Sequence, residues 1–171
     1  MAFPLDHGGW CRNLPAALKH GTIPLLLITC SNAVQACPVA NKTIQLTGNG
    51  HTLTTEVATT RDSHMCGLAF RHELPADHGM LFAYAQDRII GFWMKNTYIP
   101  LSIAFLDADG RILETHDMDP RFPAGRYISR VPARYALEVN QGWFSENDIE
   151  VGDSLEIDLQ AVQEIYRFDN R

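Results

Sequence analysis

The sequence predicts a mainly β fold, one single-domain sandwich or barrel-like sheet carrying short helices. Three observations lead there. Apolar residues recur at period two in several short runs, turn residues separate those runs, and no long amphipathic helix stands out between them. With 171 residues, 46% of them hydrophobic and 20% charged, the chain has room for one domain of ordinary size. No linker-like boundary follows residue 42, so residues 37–171 read as a single β-rich domain.

Taken in order, Lys42 to Ala58 contains two strands: Ile44 and Leu46 alternate with polar residues, and Leu53, Thr55 and Val57 do so again. Gly48-Asn49-Gly50 supplies the turn between them. Thr60 is placed to cap a short helix that runs through Cys66 and stops at Gly67. A loop at Leu74 to Gly79 leads into Met80 to Tyr84, which is apolar on both faces, as a central strand is. Tyr98 to Leu106 is the next strand, with Ile99, Leu101, Ile103 and Phe105 on one face. Asp107-Ala108-Asp109-Gly110 turns the chain back into Arg111 to Thr115. Pro120 and Pro123 mark residues 117–127 as irregular loop. In Arg134 to Asn140, Tyr135, Leu137 and Val139 are expected inward, and Arg134, Ala136, Glu138 and Asn140 outward. Gly142 to Asp148 reads as a helical turn capped by Ser145, and Ser154 to Gln160 as a closing strand with Leu155, Ile157 and Leu159 buried.

Residues 1–36 have another character. Lys19 and His20 precede the apolar run Ile23-Pro24-Leu25-Leu26-Leu27-Ile28, and Val34-Gln35-Ala36 places small residues at cleavage positions. That is the pattern of a secretory signal peptide, with an apolar core far below the ~20 residues of a membrane span. Export to the periplasm or exterior is the expectation. A lipoprotein signal, with lipid on Cys37, is the alternative and the one route to a membrane partner. Of the four cysteines, the mature chain would keep Cys37 and Cys66. They can pair in an oxidising compartment, provided Cys37 carries no lipid. A net charge of −6 offers little to a phosphate backbone, so nucleic acid is not an expected partner.

Chemistry concentrates in Phe92-Trp93-Met94-Lys95-Asn96-Thr97. In one reading Phe92 and Trp93 pack in the core while Asn96 and Thr97 hold a tight bend. In the other, an aromatic face beside Lys95 and Asn96 forms a shallow site for a sugar or small anion. Arg61, Arg71 and Glu138 form a second group, in which a carboxylate could meet Lys95 or Arg71 at a sheet face. His64, Cys66, His72 and His78 lie close together but match no zinc spacing, and Asp107-Ala108-Asp109-Gly110 lacks the Glu that closes a calcium loop. No metal or cofactor is expected.

The chain resembles the family catalogued as domain of unknown function 192. The resemblance rests on Arg61, Gly67-Leu68, Arg71, Leu74-Pro75, Gly79-Met80-Leu81-Phe82, the hexapeptide at 92–97 with Ile99-Pro100-Leu101, Tyr135-Ala136-Leu137-Glu138-Val139, Gly142-Trp143 and Val151-Gly152-Asp153. It implies a compact β-rich fold and frequent export, and no particular substrate or cofactor. Two positions depart from the family pattern: Leu68-Ala69 stands where the family has Leu-Met, and Ser102 where it has Asp. The candidate ligand-binding set is therefore Arg71, Trp93, Met94, Lys95, Asn96, Thr97 and Glu138. The leading expectation is a module for a small-molecule, glycan or envelope ligand. Its rivals are a hydrolase or lyase using Lys95 and Glu138 with an arginine, and an accessory protein-interaction module.

Overall fold

The computed structural model describes Cys37 and residues 39–170, so the signal-like segment at 1–36 lies outside the described residues. Nine strands and three helices follow in chain order. β1 (Lys42–Gly48) and β2 (His51–Ala58) form an antiparallel hairpin across Gly48↔His51. α1 (Arg61–Cys66) then crosses over to β3 (His78–Arg88), which lies parallel to β2. A parallel neighbour requires such a crossover, and here a short helix and a loop provide it. The remaining main-sheet strands are β5 (Leu101–Leu106), β6 (Ile112–Met118), β8 (Ala133–Asn140) and β9 (Glu156–Ile157). The seven strands run in the order β6-β5-β8-β3-β2-β1-β9, a half-barrel. β4 (Gly91–Trp93) and β7 (Arg126–Ile128) form a separate two-stranded sheet.

The main sheet is covered on both faces. One core joins Leu46, Leu53, Leu81, Leu106, Leu137 and Val139 to Trp143 and Phe144 of α2 (Trp143–Glu146) and to Val162 and Ile165 of α3 (Leu159–Asp169). The other packs Met80, Phe82, Ile99, Leu101, Ile103, Phe105 and Ala136 beneath Leu68, Ile90 and Met94. The expected face of Ile99, Leu101, Ile103 and Phe105 is therefore real, but the alternate residues of β5 are equally buried.

Double coverage corrects the expectation for β8. Ala136 is buried in the second core and Glu138 lies beside it, only 5% exposed, because β8 is flanked by β5 and β3 and this face is covered by α1 and the segments around β4. A second correction concerns the C-terminal segment. The expected strand at 154–160 is reduced to the two residues of β9, and an amphipathic helix follows. Asp158 caps it, its carboxylate accepting from Ala161 N at 2.9 Å, and Val162 and Ile165 supply its buried stripe at helical spacing. Leu159 thus begins a helix instead of ending a strand. The third correction is local: Gly142, at φ 88°, is the N-cap of α2, while the Ser145 hydroxyl donates to the Gly142 carbonyl.

Elsewhere the local signals hold. Thr60 and Ser63 form a reciprocal capping box on α1, which Gly67 ends. The loop at 117–127 starts after Met118, and its last residues become β7 because Tyr127 pairs with Phe92. Cys37 and Cys66 are joined by a disulfide, with Cα atoms 5.8 Å apart, which ties the start of the described chain to the end of α1.

Candidate functional site

An open cleft of about 1110 Å³ lies over the second core. Its floor comes from the main sheet, with Phe82 on β3 and Glu138 on β8. One wall is α1 and the segment after it, with Arg61, His64, Met65 and Gly67 to Ala69. The opposite wall is the β4–β7 sheet and the residues leading into it, with Ile89 to Trp93, Arg126 and Ile128. The tail of β3 completes it. β3 pairs with β8 up to Ala83↔Tyr135, slips register, and rejoins at Arg88↔Ala133. That irregularity leaves Ala85, Gln86 and Asp87 exposed at the cleft.

Gly67 is what allows α1 to sit so close to the floor. Its φ is +50°, and a Cβ there would meet the Phe82 ring at 3.3 Å and come within 4.0 Å of Glu138 Oε2. A side chain at this position would be strained by its backbone and would crowd the Phe82 ring. The walls are also tied together: Phe70 N donates to the Asn96 carbonyl at 2.7 Å, linking the loop after α1 to the hexapeptide.

Glu138 dominates the electrostatics. It is only 5% exposed, and burial pushes its carboxyl up to about 8, with the charge of Arg71 pulling weakly the other way. No described residue hydrogen-bonds that carboxyl, so at neutral pH it is a neutral acid holding a proton over the cleft floor. Tyr84, also on the cleft, is raised by burial to about 12 and stays protonated. His64 is held below its ordinary value by burial; its Nε2 lies 3.0 Å from the Ala58 carbonyl, and its ring packs 4.5 Å from that of Tyr84. Two neutral oxygen acids thus face the cavity, where each can donate a hydrogen bond to a guest.

The predicted site residues divide. Trp93, Lys95, Thr97 and Glu138 all line the cleft. Trp93 is 54% exposed, which sets aside the reading that packs it in the core; Phe92 packs there instead, edge-on to Phe82 at 4.7 Å. Met94, 1% exposed, belongs to the core. Asn96 adopts φ 60° and shapes the bend, where Thr97 N donates to the Met94 carbonyl. Arg71 does not reach the cleft. It forms a bidentate pair with Glu56 at 2.6 and 2.9 Å and lines a smaller recess beside the disulfide. Burial pushes Glu56 up, but hydrogen bonds from Arg71 and Asn41 outweigh it and hold the carboxyl below its ordinary value. The carboxylate that meets Arg71 is therefore Glu56, not Glu138.

Sequence reasoning missed Phe82, Tyr84, Arg88 and Arg126 as cleft residues. No local signal marks them, because the β3 irregularity and the long-range β4–β7 pairing bring them in. Ser102, one of the two departures from the family pattern, does not line the cleft, although its strand partner Val139 is next to Glu138. Its hydroxyl donates to Asp117 Oδ1 at 2.5 Å and accepts from Gly142 N at 3.0 Å, pinning β6 and α2 to β5. The Cys66 sulfur is committed to the disulfide and is no free thiolate.

The family model DUF192, described as Uncharacterized ACR, matches residues 43–157 and so takes in every main-sheet strand and both walls of the cleft. The chain belongs to this family. It is similar to the crystal structure of a candidate transcription regulator from Sinorhizobium meliloti 1021, at 35% identity and a TM-score of 0.65, over 69% of this chain and 95% of that one. A protein of unknown function from Novosphingobium aromaticivorans DSM 12444 is similar at 29% identity and a TM-score of 0.64, over 71% and 96%. No functionally curated protein matches the chain.

Proposed function

We propose that this DUF192-family chain is an exported ligand-binding module and that the cleft over Glu138 is its binding site. The observation that carries this is the combination of a concave cavity, an exposed indole on its wall, and a buried carboxyl on its floor with no protein partner. The Glu138 carboxyl opens onto the cavity and has no hydrogen-bond partner among the described residues, so a guest in the concave site can reach it. Trp93 offers the stacking face that a sugar or other flat ligand uses. Export is supported by the signal-like pattern of residues 1–36 and by the disulfide, which suits an oxidising compartment. The Cys37 sulfur in that bond has no valence left for a thioether lipid, which favours simple cleavage over lipidation.

The test is a thermal-shift screen of neutral saccharides, organic acids and cell-envelope fragments on wild type, Trp93→Ala and Lys95→Ala. A ligand at 100 times its dissociation constant adds about 2.7 kcal/mol to stability. The expected result is a ligand that stabilises wild type and loses its effect in Trp93→Ala. Ligands that stabilise all three proteins equally would place binding elsewhere, and the absence of any stabilising ligand would refute the module.

Glu138 also supports a second reading, an envelope hydrolase or lyase, since a carboxyl raised to about 8 is suited to act as a general acid. Turnover that disappears in Glu138→Gln while binding persists would select the enzyme.

A further inference from the structure

Four cations line the cleft: Arg61 on α1, Arg88 at the end of β3, Lys95 in the hexapeptide turn and Arg126 on β7. All four are exposed, and none makes a salt bridge among the described residues. The acids cannot neutralise them. Asp87 is held by Arg134 at 2.7 Å, and Glu138 is protonated at neutral pH. A chain with a net charge of −6 therefore keeps a locally positive cleft. Unpaired cations gathered around a concavity attract an anion and raise its local concentration.

The same walls are apolar. Met65, Ile89, Trp93 and Ile128 are four of the nine large hydrophobic side chains exposed on the described surface, and all four border this cleft. Below them lie Phe82 and Phe92. Apolar surface concentrated at one place marks a binding site, whereas scattered residues would not.

Building on the ligand-binding reading above, we infer that the cleft takes a single-chain amphiphilic acid, with its anionic head among Arg61, Arg88, Lys95 and Arg126 and its apolar body against Trp93, Ile89, Ile128 and the Phe82–Phe92 floor. The occupant is a monomeric molecule and not a membrane surface, because a flat bilayer face cannot reach the aromatic floor of a concave site. Glu138 and Tyr84 then offer hydrogen bonds to an oxygen function on the part of the ligand that lies deepest. An ionised Glu138 would repel the acid, so its neutral state is the one compatible with binding.

The experiment is a calorimetric and tryptophan-fluorescence titration of the disulfide-bonded protein with decanoate and decyl phosphate, each kept monomeric. Decan-1-ol, a neutral octasaccharide, an eight-residue oligothymidylate and anionic lipid vesicles are the comparison probes. The expected result is saturable binding of decanoate or decyl phosphate, at least tenfold tighter than decanol, weakening as salt rises. The doubly reversed variant Lys95→Glu with Arg126→Glu should lose at least tenfold in affinity, while Arg121→Glu, outside the cleft, should not. Trp93→Phe should abolish the fluorescence change. Equal affinity for decanol, indifference to the charge reversal, or preferential binding of the oligonucleotide or of vesicles would overturn the inference. Saccharide binding sensitive to Trp93→Ala but not to charge reversal would overturn the amphiphile and leave the binding module standing; if no probe binds and the broader screen also fails, both fall.

Discussion

Replacing Glu138 with glutamine keeps the shape of the side chain and removes its ionisation, which isolates the electrostatics of the cleft floor. In the folded chain the carboxyl titrates at about 8, and in the unfolded chain near its ordinary value of 4.5. The folded state therefore binds the extra proton between those limits, and stability must fall as pH rises through that window. Below about 4.5 the group is neutral in both states and adds no pH dependence. Above about 8 it is charged in both, and the fold bears the full cost of burying the charge. At about 1.4 kcal/mol per tenfold change in proton affinity, the whole passage amounts to on the order of 5 kcal/mol. Glu138→Gln has no such group. Urea denaturation of both proteins at a series of pH values from 5 to 9 reads the difference directly. Near pH 5 the two should be similar, and by pH 9 the variant should be the more stable by several kcal/mol. A stability difference that stays constant over this range, or one that favours wild type increasingly as pH rises, would refute the assignment of Glu138 as a buried, unpaired acid.

The hexapeptide should split by burial. Met94→Ala is expected to cost about 2–5 kcal/mol as a core truncation, while Trp93→Ala, on an exposed wall, should change stability by under about 1 kcal/mol; chemical denaturation of the two variants gives the ranking. Cys37→Ser opens a loop that spans 29 positions, and the chain-entropy relation predicts a loss of about 3–4 kcal/mol, checked by denaturing wild type and variant without reductant. Thiol titration of unreduced, denatured mature protein should find neither Cys37 nor Cys66 free. Intact mass of the protein from its native host should correspond to a chain that begins at Cys37, and full-length protein in the cytosol would contradict export.

Elements with a local cause were legible in the sequence. The Gly48-Asn49-Gly50 turn sets the β1–β2 register, Thr60 and Gly67 bound α1, and the alternation in β8 names the residues of one core. These follow from capping, turn chemistry and period two, which operate over a few residues. The hexapeptide was legible as an aromatic and polar cluster, and its Trp93, Lys95 and Thr97 line the cleft. What the sequence could not supply was the second layer. Glu138 reads as a polar-face residue until α1 and the β4–β7 sheet are laid over it, and only that burial shifts its proton affinity. Arg71 looked like its partner, yet the β2–β3 parallel crossover delivers Arg71 to Glu56 instead. Trp93 faces the cleft and Met94 the core because β4 pairs with a strand more than thirty residues away, a contact that no periodicity encodes. Local chemistry marked the main-sheet strands through β8 and the first helix; long-range packing made the β4–β7 sheet and the C-terminal helix and decided which faces see water, and with them the electrostatics of the cleft.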